Sequence, residues 1–246
     1  AGIRLSHGRS LDELLAIDEY GQFLSGFRIV SSRTPEYTEH MFRYLVAHVP
    51  HFRLDRCGWS PDQAVVLVAD KKNALRVQAA TPAARRAGIR PGMSASEARA
   101  RCPQLETELL DESAESDDLY SLTAQLLRIS PNIAPLPPDA VVAEIARVPN
   151  GSAGQERGLV ERVRIRMQQL GHIAHVVVAD DPTIALRVAQ WTQRSTIVPR
   201  HTGAKALAPL PLEALSLPQQ DQLLMESLGI QTIGQFAQIP PAELTG

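Results

Sequence analysis

SPNIAPLPPDAVVAEIA, residues Ser130 to Ala146, runs a proline-dense turn into an apolar stretch, so Val141 to Val148 reads as a strand. The neighbouring sequence repeats the theme. Upstream, FRYLVAHV (Phe42 to Val49) is a compact apolar run stopped by Pro50, and AVVLVA (Ala64 to Ala69) is another. Downstream, Leu159 to Leu170 places Val160, Val163, Met167 and Leu170 on one helical face. HVVVAD (His175 to Asp180) is then a buried-strand candidate feeding a helix over Pro182 to Trp191. After the two upstream strands, TPAARRAG (Thr81 to Gly88) suits a short helix entered through Pro and left through Gly. SASEARARC (Ser94 to Cys102) sets Ser94 three residues before Glu97, a capping pair, and Leu119 to Ile129 reads as helical. Strands and helices alternate, which predicts an α/β or α+β architecture.

The chain has 246 residues, enough for one large or two small domains with a buried core. Lys and Arg number 25 against 27 Asp and Glu, which disfavours a surface that is basic throughout. No apolar run approaches the ~20 residues of a bilayer span and no signal peptide opens the chain, so a cytoplasmic protein is expected, with no membrane partner. Cys57 and Cys102 form no metal-ligand pattern and are expected to be small buried hydrophobes.

Ala1 to His40 reads as a separate unit: Ser10 and Glu13 form a second capping pair, and Leu11, Leu14, Ile17 and Leu24 follow at roughly helical spacing. Ser31 to His40 is a polar linker leading to Met41, so the unit is either an N-terminal extension or a fused partner segment. Charge is polarised further on. From Asp70 to Arg101 there are eight bases (Lys71, Lys72, Arg76, Arg85, Arg86, Arg90, Arg99, Arg101) against two acids, a net of +6. Glu106 to Asp118 holds seven acids and no base. These are either two solvated faces of opposite sign or, in the first segment, a phosphate-facing patch. The Pro-rich, then helical tail predicts a small all-helical part from near Trp191.

The common enzyme signatures are missing: there is no GxGxxG, Walker loop, GxSxG elbow or HExxH. His48 with His51, and His172 with His175, are three apart, but each pair borders an apolar strand, which favours structural roles over metal binding.

Four segments in order resemble the Y-family translesion DNA polymerases. Val77 to Leu105 is similar to the fingers segment of that family, Ser130 to Ala146 to its second catalytic palm motif, and Val176 to Gln190 to the palm strand and helix that follow. PLPLEALSL with Leu228 to Pro240 resembles its thumb and helix-hairpin-helix. The resemblance covers Met41 to Gly246 and implies an α+β fold: a palm on a mixed sheet with helices, small α/β fingers and a helical thumb with a helix-hairpin-helix. It divides the chain into residues 1–40, outside the family, 41–50 and 108–190 as palm, 51–107 as fingers and 191–246 as thumb.

Nucleotidyl transfer uses two divalent metals about 3.5–4 Å apart, each held by hard oxygen ligands. The resemblance places three carboxylates around them, one ending the first palm strand and an adjacent Asp-Glu pair in the second motif. Here Pro50 stands at the first position, Asp139 remains, and Ala140 replaces the Glu. Glu144, five residues beyond Asp139 on a strand, faces away from it. The fingers Tyr gives way to Pro82, while Arg85 matches the phosphate-contacting Arg, and the later Asn-Lys pair becomes Pro182-Thr183. The resemblance thus implies no catalytic residues, no metal and no cofactor, with Asp139 as a remnant.

The subfamily most resembled is the ImuB type, the inactive Y-family-like subunit of the bacterial mutasome. It implies a scaffold in error-prone translesion synthesis. Its expected partners are a RecA-like accessory protein of the ImuA type, the β sliding clamp and a C-family error-prone polymerase, the last two through regions beyond this chain. Weak primer-template DNA binding is expected at Lys71, Lys72, Arg76 and Arg85. Gln222 to Leu228 has only a faint clamp-motif flavour and reads as an ordinary helix face. The tail from Ala206 to Gly246 has no Lys or Arg and a net charge of −4, so Leu228, Ile230, Ile233 and Phe236 are expected in a core rather than in a DNA grip. The competing readings are an active Y-family polymerase on non-standard carboxylates and an unrelated small-molecule-binding α/β protein.

Overall fold

A computed structural model describes residues 43–55, 57–60, 62–71, 73–145 and 153–239. The readings of residues 1–40, of Met41 and Phe42, of Lys72 and of the strand end at Ala146 to Val148 lie outside them.

Two sheets organise the chain. The larger has the order β5-β6-β1-β7-β8, from Ile133–Leu136 (β5), Ala140–Ile145 (β6), Arg43–His48 (β1), His175–Ala179 (β7) and Thr196–Ile197 (β8). β1 is central and antiparallel to both neighbours: Val46 pairs with Val142 on one side and Val177 on the other. Its alternation sends the two faces to different cores. Leu45 and Ala47 pack with Val141, Val176 and Val178 under the helices Glu112–Ala124 (α4) and Ala153–Gln169 (α5). Val46, Val142 and Val177 pack on the opposite side against Pro182–Thr192 (α6) and the C-terminal helices. In α5 the expected face is the buried one, with Val163 and Met167 fully enclosed.

The smaller sheet has the order β3-β2-β4, from Leu75–Ala80 (β3), Val65–Asp70 (β2) and Glu106–Leu109 (β4). Val66, Val68 and Val77 face the helices Pro82–Arg86 (α2) and Ala95–Arg101 (α3). Both helices start as their sequences direct: the Thr81 hydroxyl accepts from the Ala84 N–H, and that of Ser94 from the Glu97 N–H. Leu67 and Ala79 on the reverse face meet Leu54, from the four-residue helix Phe52–Asp55 (α1). Phe52 in that same helix belongs to the core of the larger sheet, so α1 joins the two layers.

Where β1 begins, Arg43 is 4% exposed and fully engaged. Its guanidinium donates twice to Glu156 (2.8 Å each), once to Asp180 (2.9 Å) and once to the Val198 carbonyl (2.9 Å). Burial works against its charge, yet those carboxylate hydrogen bonds raise its pKa above the ordinary arginine value.

Several boundaries differ from the sequence reading. The all-helical part begins at Gly203–Leu207 (α7) rather than near Trp191, because β8 still pairs with β7. β4 belongs to the smaller sheet, so an edge at residue 108 cuts through a strand. α4 starts at Glu112, with the Asp111 carboxylate accepting from the Ala114 N–H, not at Leu119. Ile233 and Phe236 of α9 (Ile233–Phe236) are buried as expected, but Leu228, after α8 (Gln219–Ser227), is exposed. Cys102 is buried, whereas Cys57 is half-buried. Among the described residues no helix is long and apolar enough to cross a membrane.

Candidate functional site

The hairpin turn Pro137–Asp139, with a cis bond between Pro137 and Pro138, delivers Asp139 to the end of β1. The Val49 N–H donates to the Asp139 carbonyl at 2.7 Å, and His48 Nε2 lies 3.5 Å from the Asp139 carboxylate. The β1 residue beside Asp139 is therefore His48, and Pro50 opens the turn into α1. Register completes the corner: His48 pairs with Ala140 on one side and His175 on the other, and the two imidazole rings stand 6.0 Å apart. His51 follows in the turn. Ala140 is 1% exposed, so its methyl group closes the corner on the β6 side.

Of the buried polar side-chain atoms without a hydrogen-bond partner, three are Nδ1 of His48, His51 and His175. A buried nitrogen left bare costs about 1–3 kcal/mol, which makes this the least satisfied spot described. Burial lowers the pKa of His51, helped by nearby Arg85 and His48 and partly offset by Asp55. Burial likewise lowers that of His175, with His48 adding to it and a hydrogen bond to the Ala189 backbone opposing. Both groups resist taking a proton when folded and charge more readily once unfolded. Their contribution to stability is whole above the ordinary histidine value of about 6.5 and drains away as pH falls through their lowered folded values. We predict that the melting temperature drops between pH 7.5 and 5.5, and that His175→Gln flattens the drop; equal slopes in variant and parent refute it.

A pair of hard divalent ions does not fit this donor set. Magnesium takes oxygen ligands in near-octahedral geometry, and this corner offers one carboxylate among imidazoles and a methyl group. Among the described residues no group of three His, Cys, Asp or Glu side chains could hold a metal. Glu144 cannot be recruited: it pairs with Tyr44, four residues and about 13 Å along β1 from His48.

The basic positions are spread rather than gathered. Lys71 and Arg76 are exposed on the hairpin between β2 and β3, where Arg76 donates to the Gly92 carbonyl at 3.0 Å. Arg85 is exposed on α2 beyond the other end of β3, about 17 Å further along the chain direction. Lys72 lies outside the described residues. A helix-hairpin-helix grips DNA by pointing backbone N–H groups near its glycines at a phosphate, but here the Gly229 N–H donates to the Glu226 carbonyl and the Gly234 N–H to the Ala208 carbonyl. A Cβ at Gly234 would stand 3.0 Å from the Ala208 carbonyl oxygen, so this glycine serves close packing.

The histidine corner was not legible in the sequence. Its members lie on β1, the following turn and β7, and only the antiparallel register brings them together.

The profile of the impB/mucB/samB family matches residues 61–189. Protein ImuB of Caulobacter vibrioides is 29% identical over 157 residues, which is 64% of this chain and 34% of that protein. The chain therefore spans about a third of the length of the curated relative. Among solved structures, DinB from Sulfolobus solfataricus superposes with a TM-score of 0.61 at 17% identity, over 81% of this chain and 61% of that one. An insertion ternary complex of Dbh DNA polymerase gives 0.62 at 15% identity, over 77% and 58%.

Proposed function

Because the chain belongs to the impB/mucB/samB family, the Y-family polymerase group, we propose that it is a non-catalytic member acting as a scaffold in error-prone translesion synthesis. The larger sheet with α4, α5 and α6 is the palm, the smaller sheet with α2 and α3 the fingers, and the helices from α7 onward the thumb. The observation that carries the reading is the corner itself: one carboxylate, Asp139, flanked by His48 and Ala140. Without a metal pair the nucleophile is not activated and the leaving phosphate is not neutralised. What remains is a polymerase-shaped body able to sit at damaged DNA and hold others there. A RecA-like accessory protein of the ImuA type, the β sliding clamp and a C-family error-prone polymerase are the partners of this reading, in the cytoplasm.

DNA contact in this scheme is electrostatic and runs through Lys71, Lys72, Arg76 and Arg85. Fluorescence anisotropy with primer-template DNA across a salt series tests it. Binding should be micromolar or weaker at physiological salt, with log K falling linearly against log salt. Lys71→Glu and Arg85→Glu should each reduce the slope by about 1. Slopes unchanged in both variants would move the DNA contact elsewhere.

An active enzyme on non-standard carboxylates is the competing reading. The position of Glu144 argues against it.

A further inference from the structure

We propose that β4, the free margin of the smaller sheet, is a docking edge for an extended segment of a partner protein in which basic and apolar residues alternate. The inference goes beyond the scaffold reading and stands on the geometry of this edge alone.

The two margins of the smaller sheet differ. Along β3 the Val77 N–H donates to the Met93 carbonyl (2.9 Å) and the Gly92 N–H to the Val77 carbonyl (2.8 Å), while Arg76 forms an antiparallel bridge with Ser94. Residues 92–94 therefore cover that side. β4 pairs with β2 in parallel, and among the described residues no strand lies beyond it. The Glu106 N–H donates to the Ala64 carbonyl (2.9 Å), and the Leu110 N–H, just past the strand end, to that of Val68 (2.8 Å). Backbone groups alternate in direction along a strand, so the N–H and C=O of Thr107 and Leu109 point away from β2. A strand laid along them is held by main-chain hydrogen bonds.

Side chains choose the occupant. Register puts Glu108 beside Leu67, on the face that meets α1, where its carboxylate accepts from the Trp59 indole N–H. Glu106 shares that face two residues earlier and is exposed. On the opposite face Leu109 lies beside Val68 and is 68% exposed. An incoming strand sets its own residues level with these. Bases across from Glu106 and Glu108 make favourable cross-strand pairs on one face, and an apolar side chain beside Leu109 extends the other. Asp111 and Glu112, just beyond β4, add to the negative field. A second copy of this chain is the poorer occupant, because its β4 would bring the same acids to one seam.

The test titrates the full chain into a dye-labelled, end-blocked peptide of sequence Lys-Val-Arg-Val-Lys-Val and follows anisotropy, with amide hydrogen exchange read by NMR. Binding should saturate and should slow exchange at Thr107 and Leu109, while the Glu106 amide, already bonded to β2, stays as it was. Two N-methylated forms of the peptide, each blocking alternate amides, separate a strand ladder from plain charge attraction. The form blocked on the side facing β4 should fail to bind, and the other should bind as the parent peptide does. Glu106→Lys, at an exposed side chain, should keep the parent melting temperature and weaken the peptide by about fivefold. Leu109→Pro removes an outward N–H that the fold itself does not use, and should abolish binding. Absence of saturable binding, equal binding by the two N-methylated forms, or exchange protection away from β4 overturns the proposal. A dimer seen by sedimentation that Leu109→Pro dissolves overturns it too, because the edge then belongs to a second copy.

Discussion

Primer-extension reactions with the purified chain, Mg²⁺ or Mn²⁺ and all four nucleotides should give no template-directed incorporation above about 10⁻³ per second. That is at least a thousandfold below the ~1–10³ per second of ordinary enzymes. The expectation follows from the donor set beside Asp139, where the flanking positions carry an imidazole and a methyl group. Asp139→Ala should leave the baseline unmoved, because one carboxylate organises no metal pair. His48→Asp combined with Ala140→Glu supplies a constructive arm: three carboxylates then share the corner, and Mn²⁺ affinity by calorimetry should rise. Extension should stay low even so, since Pro82 and Pro182-Thr183 stand where the family resemblance expects nucleotide-handling residues. Incorporation by the parent chain that disappears in Asp139→Ala would sink the scaffold reading.

Arg43→Ala should be the most damaging single change to stability, at about 3 kcal/mol by chemical denaturation. The arginine is enclosed at the start of the central strand, and four hydrogen bonds tie it to α5, the end of β7 and the segment after β8. Removing it strands the Glu156 carboxylate, which is 17% exposed, and leaves the Val198 carbonyl without that donor. Glu156→Gln should cost less because it keeps an acceptor in place. The double variant should lose at least about 1 kcal/mol less than the sum of the singles, since the two share one network. A loss under about 1 kcal/mol for Arg43→Ala would mean that the pair is dispensable.

What the sequence made legible follows from range. Helix starts are set within four residues, so Thr81, Ser94 and the buried stripe of α5 were readable. The strands around Leu75 to Ala80 and Glu106 to Leu109 were not, because half of their positions taken together are charged or exposed and β4 joins β2 only after β3, α2 and α3 have intervened. The same limit applied to the corner at Asp139. Pro50 is the conspicuous residue in AHVPHF, but hydrogen bonding stops β1 at His48, and strand register, which local spacing does not encode, puts that side chain beside Asp139. Asp139 and Ala140 were readable because turn and strand meet within a single motif.

The borders of the larger sheet limit how anything else can attach to it. β5 carries Pro135, which has no N–H to offer, and runs straight into Pro137 and Pro138; β8 is two residues long and is followed within two residues by Pro199. Neither margin presents a backbone ladder that an incoming strand could extend. The larger sheet is thereby protected from zipping onto copies of itself at these margins. Under the scaffold reading, a partner on this layer would be recognised by side chains on its helices, where each contact can be tuned separately.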